Sequence, residues 1–420
     1  MHPFTLVFLA ALAAAVGLRL WLARRQVASV RRHREHVPEA FAGVIAPAVH
    51  RKAADYAVAR TRLSAVDTLV EAGLLHAWTL GGGPRAVDAF WAGLGLGPVA
   101  TGVGVLVTIV LVGGLVDLPL RAWRTFVIEQ RYGFNRTTPA LFAADQLKSA
   151  ALLLALGAPL AAIILWLMRE AGAAWWLYAW AIWLGFNLVM VWAWPAFIAP
   201  LFNRFSPLED EGLRARIDAL LARCGFATDG VFVIDGSRRS GHGNAYFSGL
   251  GRSKRIVFFD TLLEQLAPAE VEAVLAHELG HFKRRHIARN VALMAAASLA
   301  GLALLAWLME RTWFYTALGA GEPSIHAALA LFMLVLPVFT FFLQPLFARL
   351  SRRHEFEADA FAADQCPADD LVSALVNLYR ENASTLTPDP LWSAFYDSHP
   401  PAAERIAHLR RLGAAPPVRV

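Results

Sequence analysis

The sequence predicts a mainly helical membrane protein that carries a small α/β unit on one side of the bilayer. Of the 420 residues, 57% are hydrophobic and only 17% are charged, whereas soluble domains of this size usually carry more charge. Several apolar stretches reach the roughly 20 residues needed to cross the hydrocarbon core. A polar segment between the fifth and sixth stretches has both helical and strand patterns, which predicts the α/β unit.

The candidate membrane spans are six strongly apolar stretches and one weaker one. The first stretch is also compatible with a cleaved signal peptide, but no basic residues precede its apolar run and its positive cluster follows it. We therefore expect seven retained spans. They lie at Phe4 to Ala23, Leu63 to Leu80 (the weaker one), Val103 to Leu120, Leu147 to Met168, Ala173 to Trp194, Ala288 to Met309 and Ile325 to Leu346.

The positions of the basic residues predict the orientation of these spans. Arginines cluster after the first span and after the third, whereas the alternate loops hold few basic residues. Basic loops remain in the cytoplasm, so the N-terminus is expected outside and the C-terminus inside. The formal charge of +6 comes from these clusters, which argues against nucleic-acid binding. Because arginine replaces lysine almost everywhere, we expect a bacterial protein of the inner membrane.

The spans and polar segments divide the chain into four regions. The cysteines, Cys224 and Cys366, lie far apart and have no metal-ligand or redox spacing. The predicted regions are 1–200 with five spans, 201–287 as a cytoplasmic insert, 288–346 with two spans, and 347–420 as a cytoplasmic helical region.

Within the polar insert, a helix and two strands are predicted. Leu208 to Cys224 has helical apolar spacing, and Gly225 follows it as a C-terminal glycine. Gly230 to Asp235 and Arg255 to Phe259 have the composition of strands, and a turn-rich segment separates them. A small mixed α/β unit is therefore expected between the fifth and sixth spans.

An HExxH motif predicts a zinc site in the last helix of this insert. His277 and His281 are four residues apart, so both imidazoles project from one helix face and can bind the same tetrahedral ion. Glu278, next to the first ligand, is the candidate general base. The alternative is a solvated helical turn without a metal, but one motif of this kind is improbable by chance in a chain with 13 histidines.

A catalytic zinc usually has three protein ligands, so a third ligand is expected elsewhere. After the seventh span, Glu355 and Asp359 are four residues apart and share a helix face. We predict Glu355 as the third ligand and Asp359 as the acceptor that orients a ligand histidine. Glu357 faces another side and is less favoured, and His354 is a weaker candidate on residue type alone.

Taken together, the motifs of this chain resemble those of the integral-membrane CAAX prenyl protease 1 family, the type I zinc endopeptidases that cut after a prenylated cysteine. Several extended segments carry the resemblance, in the order and with the intervening spans typical of that family. They are FVIEQRYGFNRTT at Phe126 to Thr138, PLFNRFSPLED at Pro200 to Asp210, IDGSRRSGHGNAYF at Ile234 to Phe247, HELGH at His277 to His281, SRRHEFEADAFA at Ser351 to Ala362, and YDSHPPAAER at Tyr396 to Arg405.

The resemblance implies a barrel of seven membrane helices around a water-filled chamber, closed on its cytoplasmic side by the zinc domain. It also implies that Asn244 and Ala245 bind an extended substrate by strand addition. His399 and Arg405 would stabilise the oxyanion. Without the resemblance, His399 and His242 are only polar residues in turns.

The predicted activity is zinc-assisted hydrolysis of peptide bonds, with Glu278 taking the proton of an activated water. Peptide or protein substrates, possibly prenylated, and membrane lipid are the expected partners. One alternative is a quality-control protease without prenyl dependence. Others are a site-2-like intramembrane protease that uses Asp235 and Gly236, and a non-enzymatic transporter or scaffold with a degenerate zinc site.

Overall fold

A computed structural model describes residues 1–248 and 254–414 of the chain. The part before the polar insert is entirely helical, apart from its connections. It contains α1 (Pro3–Arg32), α2 (Pro47–Ala77), α3 (Gly83–Ala92), α4 (Pro98–Trp123), α5 (Pro139–Leu152), α6 (Ala158–Glu170), α7 (Trp175–Ala193) and α8 (Ala199–Phe202).

The polar insert alternates strands and helices, and the remainder of the chain is helical. The insert contains β1 (Phe205–Pro207), α9 (Glu211–Arg223), β2 (Val231–Ile234), β3 (Ala245–Ser248), β4 (Arg255–Phe259), α10 (Asp260–Gln265) and α11 (Pro268–Lys283). After it come α12 (His286–Met309), α13 (Thr312–Ala317), α14 (Ile325–Thr340), α15 (Gln344–Gln365), α16 (Ala368–Glu381), α17 (Pro390–Tyr396) and α18 (Ala402–Ala414).

Among the described residues, six helical stretches are long and apolar enough to cross a membrane. They correspond to six of the seven expected spans. The weaker expected span, at Leu63 to Leu80, lies mostly in α2, which is a 31-residue helix but is not one of the six. Asp67 and Glu71 lower the hydropathy of this stretch, and Glu71 pairs with Arg19 of α1 at 3.0 Å. α1 packs against the later helices, where Thr5 donates to the carbonyl of Ala317 at 2.8 Å.

The insert forms a four-stranded sheet in the order β1-β2-β4-β3. The sequence predicts β2 and β4, which are parallel neighbours, whereas β1 and β3 are antiparallel strands that the prediction missed. Both missed strands are short and lie among turn residues, so their composition alone carries little strand signal. β3 is at the edge of the sheet, and α9, α11, α16 and α18 complete a compact hydrophobic core with the central strands.

The helix that carries HExxH ends before the next span begins. α11 ends at Lys283, Arg285 has the left-handed φ of 59°, and α12 begins at His286. On an unbroken helix, His281 and His286 would point about 140° apart. The break therefore changes the direction of the chain and allows these two imidazoles to approach each other.

Three cavities lie between α2 and the elements that pack around it. One, of about 520 Å³, is named here the chamber cavity. α2, the end of α4 and the segment from α16 to the start of α18 line it, with Tyr56, Arg60, Arg124, Asn382, Asp397 and His399 among the lining residues. Two more, of about 260 and 310 Å³, lie farther towards the C-terminal end of α2, between α2 and the neighbouring helices α1, α4 and α14.

Candidate metal centre

α11 and α15 bring the three predicted metal ligands together. The two Nε2 atoms of His277 and His281 are 3.2 Å apart. Glu355 approaches them with Oε2 at 3.5 Å from His277 Nε2 and Oε1 at 3.2 Å from His281 Nε2. Among the residues that the structure describes, this is the one group of histidine, cysteine and carboxylate side chains with metal-binding proximity.

A glycine inside the motif permits this close approach of the two helices. A Cβ atom on Gly280 would lie 2.9 Å from the Cα atom of Ala358 and 3.0 Å from its carbonyl oxygen. Because those atoms belong to the backbone of α15, no side-chain movement would relieve the clash. Gly280 and the small Ala358 therefore set the helix separation at which Glu355 can reach both histidines.

The donor set fits a zinc ion. Tetrahedral zinc with ligands at about 2.0–2.1 Å has ligand atoms separated by roughly 3.3 Å. Here the two Nε2 atoms are 3.2 Å apart, and each lies 3.2–3.5 Å from the nearer of the two Glu355 oxygens. Glu355 is 4% exposed, and its Oε2 atom is buried without a hydrogen-bond partner. Its ion pair with Arg405 is longer, at 3.6 Å, so a cation between the carboxylate and the two imidazoles would satisfy this oxygen.

His277 is held by a buried ion pair behind it. Its Nδ1 atom is 2.9 Å from Asp359 Oδ1, and Asp359 accepts a hydrogen bond from Arg405 Nε at 2.9 Å. Burial and the Arg405 charge both lower the pKa of His277, but the neighbouring carboxylates of Asp359 and Glu355 outweigh them and raise it. When His277 donates its Nδ1 proton to Asp359, the Nε2 lone pair points to the metal position.

Arg405 has a different position from the expected substrate contact. It is 6% exposed, and its guanidinium contacts Asp359, His277 Nδ1 at 3.3 Å and Glu355 at 3.6 Å. The partners of this buried charge are thus the residues behind the metal position, and Arg405 does not line the chamber cavity. The reason is the packing of α18 against α15, which directs the side chain into the core between them.

His281 is held by a second set of residues, which sequence reasoning missed. Its Nδ1 atom is 3.1 Å from Nδ1 of His286, whose Nε2 is 3.1 Å from Glu357 Oε2. Because Glu357 can only accept while ionised, His286 donates to it from Nε2 and accepts at Nδ1 from His281. This arrangement leaves the Nε2 lone pair of His281 for a metal. The signal was present as a histidine five residues after the motif, but it depended on the helix break at Arg285.

Glu357 and His354 are close to the centre but outside the ligand group. Glu357 also pairs with Arg289 at 3.4 Å and with Arg353 at 3.2 Å, so two arginines compensate its charge on the outer side of α15. His354 stacks on the ring of His286 with centroids 4.1 Å apart. In the site-2-like alternative Asp235 would be a ligand, but here its carboxylate accepts from the backbone nitrogen of Arg204 at 2.7 Å, away from the histidines.

His399 and Glu278 lie on the open side of the centre. The Nε2 atom of His399 is 3.5 Å from Glu355 Oε1, and 61% of the His399 side chain is accessible from the chamber cavity. Although the ring is accessible, partial desolvation by the surrounding residues lowers the pKa of His399, against the opposing charge of Glu355, and this favours the neutral imidazole. Glu278 is half-buried and near enough for its charge to act on that imidazole.

The predicted substrate-binding residues begin the edge strand. Ala245 pairs with Phe258 of β4, and the described neighbours leave the other edge of β3 open. Asn244 is exposed, and its side chain accepts from the backbone nitrogen of Ala245 at 2.8 Å. An extended peptide can therefore add to this edge through backbone hydrogen bonds.

His242, expected to be a polar turn residue, is packed instead. Its ring stacks on Phe134 with centroids 4.3 Å apart. Its nitrogens lie 3.4 Å from Glu129 and 3.3 Å from Asn382, and Tyr56 donates to Glu129 at 2.6 Å. This network fixes the segment that enters β3 to the loop after α4 and to the end of α16.

Comparison with known proteins agrees with this architecture. A family model described as the CAAX prenyl protease N-terminal region with five membrane helices matches residues 26–204, and a model of peptidase family M48 matches residues 207–412. The CAAX prenyl protease 1 homolog of Arabidopsis thaliana is 40% identical over 301 residues, which cover 70% of this chain and 69% of that protein. The homolog of Oryza sativa is 33% identical over 404 residues, with 90% and 92% covered.

The crystal structure of S. mikatae Ste24p superposes with a TM-score of 0.91 at 31% identity, covering 97% of this chain and 99% of that one. This likeness confirms the predicted fold class, a barrel of membrane helices with a small α/β protease domain.

Proposed function

Because the chain belongs to the M48 peptidases related to CAAX prenyl protease 1 and is thus an integral-membrane metalloprotease, we propose that His277, His281 and Glu355 hold one catalytic zinc ion. The observation that carries this proposal is the convergence of the three side chains. The two Nε2 atoms lie 3.2 Å apart, and each is 3.2–3.5 Å from one oxygen of the Glu355 carboxylate, whose Oε2 atom accepts no hydrogen bond. Zinc, when bound, supplies Lewis-acid polarisation of the scissile carbonyl and acidifies water.

The chain's own residues carry the proton transfers. Glu278, adjacent to His277 and at the open side, takes the proton of the attacking water and passes it to the leaving amine. His399 donates a hydrogen bond from a ring N–H to the oxyanion that develops on the substrate carbonyl. Its neutral form is suited to this role, because a neutral imidazole can donate from one nitrogen without repelling the Arg405 charge nearby.

Substrate is held in extended form along β3. Asn244 and Ala245 lie where that edge begins, and His242 anchors the segment before them. Asp359 and Arg405 hold His277, whereas His286 and Glu357 hold His281. We assign these four residues to positioning and not to contact with the reacting atoms.

We further propose that the substrates are peptides with a prenylated cysteine near the C-terminus, since several relatives carry the name CAAX prenyl protease 1. The distribution of arginines supports a cytoplasmic metal domain and C-terminus, and the arginine-rich composition supports a bacterial inner membrane.

The test is cleavage of matched peptides by the purified full-length protein in lipid nanodiscs, followed by mass spectrometry of the products. A farnesylated peptide and its unmodified counterpart are compared, each with and without a zinc chelator. We expect chelator-sensitive release of a C-terminal tripeptide from the farnesylated peptide. Equal cleavage of both peptides would refute the prenyl preference and leave the quality-control alternative, and chelator-insensitive cleavage would refute the metal mechanism.

A further inference from the structure

We infer that the chamber cavity is a subsite for the free α-carboxylate at the C-terminus of the substrate, and that Arg60 is the residue that binds it. This inference rests on the proposed function, because it concerns the far end of the peptide that the metal centre cuts. It goes beyond that function by naming the chemical group that selects cleavage near a chain end.

The open edge of β3 determines the direction in which the peptide leaves the metal centre. β3 already pairs antiparallel with β4, and antiparallel pairing is slightly more stable per residue than parallel pairing. A peptide that adds antiparallel to β3 has its C-terminal end towards the start of that strand. The released part of the substrate therefore runs past Asn244 towards His242.

Beyond His242 the next side chains lead to Arg60. Nε2 of His242 is 3.3 Å from the hydroxyl of Tyr56, and Arg60 follows Tyr56 by one helical turn of α2, a rise of about 6 Å. Three extended residues span roughly 10 Å. A terminal carboxylate three residues beyond the cut is thus brought to the region of α2 that carries Arg60.

The chamber cavity has the size and the position for this role. Its volume of about 520 Å³ lies within the roughly 300–1,000 Å³ typical of ligand sites. His399, 3.5 Å from the metal-ligand candidate Glu355, forms part of its wall, and so does Arg60. The cavity therefore connects the reacting centre with the guanidinium.

Arg60 is the available positive charge in that wall. Its guanidinium lies 5.4 Å from the centroid of the Tyr56 ring and is exposed to the cavity. It lies near the Tyr56 hydroxyl and the Glu129 carboxylate, but it forms no direct ion pair with residues in 1–248 or 254–414. Arg124, the other arginine of the wall, is paired with Asp67 at 3.4 Å. A guanidinium that is open and held against an aromatic ring can bind a carboxylate with two parallel hydrogen bonds.

The carboxylate of Asp397 also lines the cavity and would repel an anionic ligand if it were ionised. Burial raises the pKa of Asp397, and the nearby Arg352 guanidinium offsets the charge of the ionised carboxylate.

The test compares a farnesylated peptide that ends in a free carboxylate with the same peptide as a C-terminal amide, using full-length protein in nanodiscs. For the wild-type protein we expect kcat/KM to be about 10- to 100-fold higher for the acid, the range for a charge-assisted hydrogen bond. In Arg60→Gln this ratio should fall to near 1. Arg60→Lys, which keeps the charge but loses the planar fork, should restore part of it.

Arg62→Gln is the matched control, because Arg62 is an exposed arginine of the same helix that does not line the cavity. This variant should keep the wild-type ratio. An Arg60→Gln protein that still prefers the acid to the same extent would overturn the assignment, as would equal cleavage of acid and amide by the wild-type protein.

Binding separates a failure of the subsite from a failure of the proposed function. In a Glu278→Gln background, anisotropy of fluorescent acid and amide peptides gives Kd without hydrolysis. If the Glu278→Gln protein binds the acid more tightly and Arg60→Gln removes this preference, the subsite is supported. This holds even if the wild-type protein cuts no peptide, and that absence of cleavage would count against the proposed function alone. Equal Kd values for acid and amide in the Glu278→Gln protein would overturn the subsite.

Discussion

The metal corner differs from the chamber cavity beside it in how its polar groups find partners. The metal corner consists of His277, His281, Glu355 and the four residues that hold the histidines. In the metal corner, Asp359 is fully buried and each histidine Nδ1 has a partner at 2.9–3.1 Å. In the chamber cavity, Arg60 and His399 are accessible. The difference indicates that buried partners hold the metal-binding side chains in place before substrate arrives, whereas the side chains that would contact substrate remain accessible.

The two halves of the metal corner also differ from each other. His277 is held by a buried ion pair whose arginine is 6% exposed, but 22% of the His281 side chain is accessible and its support reaches the surface through Glu357. Water can replace a lost partner at His281 more easily than at His277. The first histidine should therefore be more sensitive to the loss of its support.

The largest effect is expected from removing the carboxylate ligand. Glu355→Ala should lose both zinc and proteolysis, because two imidazoles without the third ligand bind zinc weakly. Metal content by mass spectrometry and peptide cleavage measure this. Asp364→Ala, an exposed acid on the same helix, is the control and should retain both. One equivalent of zinc in the Glu355→Ala protein would contradict the ligand assignment.

Removing the base should separate chemistry from metal binding. Glu278→Gln is expected to keep one zinc per chain while kcat falls by about 10²- to 10⁴-fold, the usual contribution of a general base. The metal content and the rate are measured on the same sample. Near-wild-type hydrolysis by this variant would exclude Glu278 from proton transfer.

The next largest effect is expected from removing the carboxylate that holds His277. Asp359→Asn keeps the shape but leaves Arg405 as a buried charge without its anion, and we expect zinc affinity to fall by about 10- to 100-fold. Competition with a zinc chelator gives the affinity, and Asp364→Asn is the matched control on α15. An unchanged affinity would mean that the ion pair behind His277 does not orient it.

A smaller loss is expected on the His281 side. His286→Phe removes the acceptor for His281 Nδ1 but preserves an aromatic ring against His354, so zinc affinity should fall by about 10-fold or less. His354→Phe keeps the stack without touching His281 and serves as the comparison. A loss larger than that of Asp359→Asn would reverse the proposed order of the two supports.

The smallest effect should come from the chamber side. Tyr56→Phe removes the hydroxyl that contacts Glu129 and His242, whereas the stack of His242 on Phe134 remains. We expect KM to rise by about 2- to 5-fold with kcat retained, as for one net hydrogen bond. A fall in kcat with unchanged KM would indicate that this network acts on the metal corner instead.

Much of the molecule was predictable because its signals are local. Apolar length predicts six of the spans, and the four-residue spacings of His277 with His281 and of Glu355 with Asp359 each define one helix face. The α/β insert was also recognised, since β4 has the predicted bounds and β2 is one residue shorter at each end. Short strands β1 and β3 were missed, as they depend on neighbours that are distant in sequence.

The sequence by itself determined the membrane class, the HExxH helix and the residue types that can bind a metal, because helical periodicity and hydropathy act over a few turns of chain. The tertiary structure alone decided how α11 and α15 meet across Gly280, that Arg405 is buried behind His277, and that His286 supports His281 after the break at Arg285. Those contacts join residues up to 128 positions apart, and their distances follow from helix packing, which no local pattern encodes.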